Sequence, residues 1–261
     1  MSFLVAAIPV APAAELDRRV RYILGQEAKT PTPSQRYDAV PQVGDRLSPA
    51  SIQALTRLLE RTPELHEMKP SLRPAFANRI LNALERQENP AGPTAALKVA
   101  SRWANDTDLP EVFQDYGVQH LVTSLDWSAG KPSEIVPALL AVAKQSTTEP
   151  AVTALLSLSS LAAKKPQGKK APIVTPAQVS SIQLRARAIA SDADAPPAAR
   201  MSAFSVLSTQ AKSADATLYI LAESLAGDPT APVSLRAAAA HCAARTTLDR
   251  PATAARFSAF A

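Results

Sequence analysis

The stretch Asp228-Pro229-Thr230-Ala231-Pro232-Val233-Ser234-Leu235-Arg236-Ala237-Ala238-Ala239 decides the fold. Its second proline has a fixed φ and no backbone N–H, so it suits the first turn of a helix, where that N–H has no partner to lose. The alanines beyond it are strong helix formers and leave room for another helix to cross closely. Asp194-Ala195-Pro196-Pro197-Ala198-Ala199-Arg200-Met201-Ser202-Ala203 follows the same plan. Working outward, the prolines that open an apolar-periodic segment are Pro33, Pro70, Pro110, Pro150, Pro197 and Pro232, spaced 37, 40, 40, 47 and 35 residues apart. The long interval contains the seven residues Lys164-Lys165-Pro166-Gln167-Gly168-Lys169-Lys170, and without them its spacing is also 40. A fixed period of this length marks a repeat architecture.

The segments agree in content. An arginine stands three residues after the proline in three copies (Arg36, Arg73, Arg200) and four after it in another (Arg236). A small residue follows at six or seven positions: Ala39, Ala77, Gly117, Ser157, Ala203, Ala238. Apolar residues recur at helical spacing, as in Leu72, Phe76, Ile80 and Leu84. Partner helices fall between, opened by Ser48-Pro49, Pro93, Pro132, Pro176 and Asp215, with Ser48 placed to cap its helix. Gly92, Gly130 and Gly168 are spaced 38 residues apart in breaker clusters and read as turn or helix-ending residues. No segment alternates β-branched residues at period two, so the predicted fold class is all-α.

Composition agrees. The 261 residues include 52 alanines, 23 prolines and only 7 glycines, inverting the usual ~7% Gly and ~5% Pro. That excludes hairpin-rich β architecture and glycine-rich phosphate loops, and it makes the helices short. The 46% apolar content excludes wholesale disorder. With 28 Lys+Arg against 23 Asp+Glu, the net charge of +5 is mild for a nucleic-acid binder. Cys242 is the sole cysteine, which rules out an intramolecular disulfide and an all-cysteine metal site.

At the N-terminus, apolar Phe3 to Val10 precede Ala11-Pro12-Ala13-Ala14 and then charged Glu15 to Arg19. Residues 1–14 thus read as the end of a signal peptide, cut near Ala13 or Ala14, or as an apolar arm of a cytoplasmic protein. Export is the expectation, giving a periplasmic or secreted chain. No later stretch has the length and apolarity of a transmembrane helix.

Two helices in about 40 residues, with an early proline, a following arginine and an alanine-rich second helix, resemble the HEAT-repeat family, most closely the secreted HEAT-like proteins of bacteria. The resemblance implies an α-α superhelix, a solenoid of about six helix pairs. It would form one domain over 15–261 with a basic loop insertion at 164–175. It also implies that Asp194, Arg200, Asp228 and Arg236 form a structural ladder linking neighbouring repeats. The Pro110 and Pro150 copies depart from the pattern, having no arginine at that place.

Chemistry is harder to find. There is no G-x-S-x-G, P-loop, G-x-G-x-x-G or H-E-x-x-H, so no catalytic residue, metal ligand or cofactor is expected. His66 reads as a surface residue between Pro63 and Pro70, and His120 as a structural histidine. His241 and Cys242 are neighbours that point about 100° apart on a helix and cannot share an ion. Asp106, Asp108 and Glu111 suit a helix N-terminus. Lys164, Lys165, Lys169 and Lys170 form either a solvated loop or a contact for an anionic partner. Phe257 and Phe260, in a tail from Pro251 expected to cap the last repeat, could mark a second contact.

The function expected is a non-catalytic scaffold whose concave face binds a protein or peptide. The alternative is a nucleic-acid-binding or DNA glycosylase-type module on the same fold, using Trp103, Trp127 and Tyr116 with Asp115. The modest charge and the lack of aromatics among the lysines weigh against nucleic acid.

Overall fold

The computed structural model describes residues 16–61, 68–125, 130–145, 147–164, 171–210 and 215–246. Expectations for residues 1–14, His66, Trp127, Gly168, Lys165, Lys169, Lys170 and the tail from Pro251 lie outside these. The described residues form twelve α-helices and one short 3-10 turn, with no strand among them. The all-α expectation holds. No helix among them is long and apolar enough to cross a membrane. The chain divides into two compact units, Met1–Arg102 with Asp126–Gly130 and Trp103–Leu125 with Lys131–Ala261.

In the first unit the helices are α1 (Arg18–Leu24), α2 (Pro33–Ala39), α3 (Pro49–Arg61), α4 (Leu72–Glu85) and most of α5 (Ala91–Asn105). Proline at the first position of α2 and α3, Thr32 in a capping box and Ser48 accepting from the Ser51 N–H set two helix starts. α1 packs on α2 and α3, and α3 on α4. Their contacts bury Val20, Ile23, Ile52, Leu55, Phe76 and Ile80 almost completely. Gly92 lies in the first turn of α5, where a Cβ would come within 2.5 Å of Gln87 Cβ and 2.6 Å of the Leu84 carbonyl oxygen. Glycine there permits a close approach, beyond the turn role expected of it. The Gln87 amide holds the loop before α3, accepting from the Leu47 N–H at 2.8 Å and donating to the Gly44 carbonyl at 2.8 Å.

In the second unit the helices are α6 (Glu111–Thr123), α7 (Pro132–Gln145), α8 (Glu149–Ala163), α9 (Pro176–Ser191), α10 (Pro197–Gln210), α11 (Ala216–Ala226) and α12 (Val233–Thr246). The main contacts join α7 to α8, α9 to α10 and α11 to α12, and also run along the row α6, α8, α10, α12. Buried alanines allow the close crossings: Ala199 and Ala203 on α10, Ala239 and Ala243 on α12. The longest helix, α9, has 16 residues, as the proline density requires. Among the described residues, Pro137, exposed inside α7, is the one interior proline that breaks the rule of prolines at helix starts.

A 36-residue offset superposes the core positions of α9 on those of α11: Ile182 on Leu218, Ala186 on Ala222, Ile189 on Leu225, Ala190 on Ala226, all buried. The following loops agree too. The Asp192 carboxylate accepts from the Asp194 N–H at 3.0 Å, and that of Asp228 accepts from the Thr230 N–H at 2.9 Å. Asp106, before α6, makes the same turn with the Asp108 N–H at 3.2 Å. Each is an Asx turn that leads to a proline at, or just before, the first residue of the next helix.

Candidate functional site

On α8, α10 and α12 the apolar stripe turns into the unit and leaves one face of each outside. On α10 that face carries Met201, Ser205 and Thr209 at i, i+4 and i+8, so the three stand in one line. Leu156 and Ser160 do the same on α8, and Ala238 and His241 on α12. Together these faces line an open hollow of about 470 Å³, bounded by Leu156, Met201, Ser202, Ser205, Thr209 and His241. A second hollow of about 270 Å³ continues it along α8 past Ser160 to Ala163.

The groove is rich in hydroxyls, and no Phe, Tyr or Trp is among its lining residues. Ser208 and Thr209 donate back to the Ser205 carbonyl at 3.1 and 2.9 Å. Ser202 and Ser205 line the first hollow and Ser160 the second, and among the described residues their hydroxyls make no hydrogen bond. Leu156, 37% exposed, gives the groove an apolar wall. The arrangement offers hydrogen bonds and a shallow apolar seat.

Side chains that reach the carboxyl end of another helix keep these faces in register. Gln210 on α10 donates to the Ser159 carbonyl of α8 at 2.9 Å, and Arg245 on α12 donates to the Ser208 carbonyl of α10 at 2.7 Å. Arg185 on α9 donates to the Ala143 carbonyl of α7 at 2.8 Å. In the first unit Arg79 on α4 donates to the Tyr37 carbonyl of α2 at 3.2 Å and lies 3.6 Å above the Tyr37 ring. The last turns of a helix leave carbonyls unpaired, as at Ala143 and Ser208, whereas the Tyr37 carbonyl also accepts from the Val40 N–H. Arg187 on α9 pairs with the Asp215 carboxylate, which also accepts from the Leu218 N–H to cap α11. The hydrogen bond from Arg187 holds the Asp215 carboxyl below its ordinary range, against the opposing effect of partial burial.

The expected ladder residues fall as follows. Arg200 Nε donates to the Ala190 carbonyl at 3.2 Å and Arg236 Nε to the Ala226 carbonyl at 3.3 Å, each ten residues back at the end of the preceding helix. Arg36, buried, does this for the Ile23 carbonyl at 2.6 Å, with its guanidinium 5.7 Å from the Phe76 ring centre. Arg73 donates to the Met68 carbonyl at 3.1 Å. In the Pro110 copy, Gln114 takes the arginine's place and donates to the Leu109 carbonyl at 2.6 Å. Asp228 is held below the ordinary carboxylate range by the Thr230 hydroxyl and N–H. Its counterpart across the 36-residue offset is Asp192, and Asp194 occupies the place of Thr230.

Of the remaining residues singled out in the sequence, Lys164 is exposed at the end of α8, next in sequence to Ala163, which lines the second hollow. Trp103 is fully buried with its ring edge-to-face against Phe113 at 5.2 Å, so it offers no surface on which a base could stack. His120 is buried in α6 and is not without a partner. Cys242 is buried, and burial pushes its thiol up to about 12. Among the described residues no group of three His, Cys, Asp or Glu could hold a metal ion. The groove and its register-holding donors were not singled out in the sequence, although hydroxyls at i and i+4 in an alanine-rich helix are a readable signal.

No family model matches the chain, and neither a curated protein nor a solved structure matches it.

Proposed function

We propose that the chain is a non-catalytic helical-repeat scaffold that binds a protein or peptide partner in the groove across α8, α10 and α12. The observation that carries this is the groove: a hollow of about 470 Å³ with partner-free hydroxyls, set on helices whose buried sides are fully committed to packing. Extended peptides use such surfaces through backbone hydrogen bonds, with pockets for alternate side chains.

A HEAT-like α-solenoid of six helix pairs is the architecture we propose around it. Three features support that: a long donor in the first turn of the second helix of most copies (Arg36, Arg73, Gln114, Arg200, Arg236), the shared Asx-turn loops, and the contact row α6, α8, α10, α12. Arg200 and Arg236 then act as part of a structural ladder with the loop aspartates. The apolar stretch Phe3 to Val10, with the small residues after it, supports a location outside the cytoplasm.

The test is selection from a phage-displayed library of random twelve-residue peptides on the full chain, with Ser205→Arg as the comparison. Ser205 is exposed, so arginine fills the groove without entering the core. Enriched peptides should bind the variant about tenfold more weakly. A library that yields no binder, or binders indifferent to Ser205→Arg, overturns the proposal.

A further inference from the structure

The three helices that build the groove are almost free of acid. Over their full lengths α8, α10 and α12 carry one acidic residue, Glu149, at the first position of α8 and so at the end away from Ala163. Cations stand at the groove's margin instead. Lys164 follows Ala163, which lines the second hollow, and is exposed. Arg245 is exposed and is tied by its Nε to the carbonyl of Ser208, itself a lining residue.

This end of the groove lies toward the carboxyl ends of the helices, where the helix dipole opposes an anion. Here that effect is reduced, because Gln210 and Arg245 already donate to the Ser159 and Ser208 carbonyls. The positive charge that remains is therefore available to a ligand. Nucleic acid also carries negative charge, but it needs a succession of flat stacking partners for its bases, and the groove offers one ring, the His241 imidazole, beside Leu156, Met201 and small side chains.

We infer that the groove takes an extended acidic peptide segment, its aliphatic side chain seated on Leu156 and Met201 and its carboxylates toward Lys164 and Arg245. The inference rests on the groove reading above and adds the chemistry of the occupant. The serine hydroxyls bond the peptide backbone, and the two cations select for acid by complementary charge.

Three fluorescent pools of twelve-residue peptides test it by anisotropy on the full chain. Each has leucine at positions 5 and 7, with the rest random among alanine, serine and one of glutamate, glutamine or lysine. A thymidine dodecanucleotide is the fourth probe. The glutamate pool should bind about tenfold more tightly than the glutamine pool, an advantage that shrinks with added salt. Lys164→Gln/Arg245→Gln should remove that advantage while the glutamine pool binds as before. Glutamine at 245 can still donate to the Ser208 carbonyl, as Gln210 does to Ser159, and circular dichroism checks that the helices persist. Equal binding of the two pools, both lost in Ser205→Arg, overturns this inference and leaves the groove reading standing. Binding by no pool overturns both. Tighter binding of the oligonucleotide than of the glutamate pool also overturns it, in favour of nucleic acid.

Discussion

Asp215 joins two jobs that substitution can separate. Its carboxylate caps α11 through the Leu218 N–H at 3.0 Å and pairs with Arg187 on α9. The pair is about two-thirds buried, with side-chain exposures of 31% and 29%. That places the ion pair at the upper end of what exposed pairs contribute, about 1 kcal/mol. A capping side chain contributes about 1 kcal/mol as well. Asn can still cap, so Asp215→Asn should cost about 1 kcal/mol, whereas Asp215→Ala should cost about 2. In a unit of this size each kcal/mol lowers the midpoint by about 2–4 °C. The sign of the pH effect follows from the direction of the shift. The folded carboxyl titrates below its unfolded value, so its stabilisation is complete above about pH 4 and fades as pH falls through the folded value. Urea unfolding of the wild type, the two variants, Arg187→Ala and the double variant gives the coupling directly. Equal costs for Asn and Ala at 215, or a coupling below about 0.3 kcal/mol, would refute the two-job account.

The other expectations concern single positions. Arg200→Ala and Arg236→Ala should each cost about 1–2 kcal/mol, because each leaves a helix-end carbonyl without its charged donor; unchanged urea midpoints for both would reject that role. Gly92→Ala should lower the thermal midpoint despite alanine's better helix propensity, since its Cβ would collide with the Leu84 carbonyl. A raised midpoint there would mean that the end of α4 gives way freely. Cys242 should resist a thiol-titrating reagent at pH 8 in the folded chain and react as one thiol in denaturant; prompt reaction of the native protein would contradict its burial.

The helices were legible in the sequence because their signals are chemical identities: proline near a first turn, alanine at a crossing. Gln114 shows where identity misleads. It fills the arginine's place with a different donor, so arginine identity does not mark it. The aspartate register is similar, since Asp192 and Asp194 are both plausible by spacing and only the turn hydrogen bonds tell them apart. The donors that set helix on helix, Arg79, Arg185, Gln210 and Arg245, were hidden for another reason. Each bonds a backbone carbonyl, which every residue has, so no partner residue announces the link. The groove needed the same missing information. Serines at i and i+4 mark one polar face, but which three faces adjoin depends on the packing row of α8, α10 and α12.

Amide hydrogen exchange on the full chain, with and without a peptide enriched from the library, tests the groove most directly. Protection should appear in the peptides covering 156–163, 201–209 and 238–245 and leave α7, α9 and α11 unchanged. Protection confined to α7, α9 and α11, with none on the three groove helices, would contradict the account.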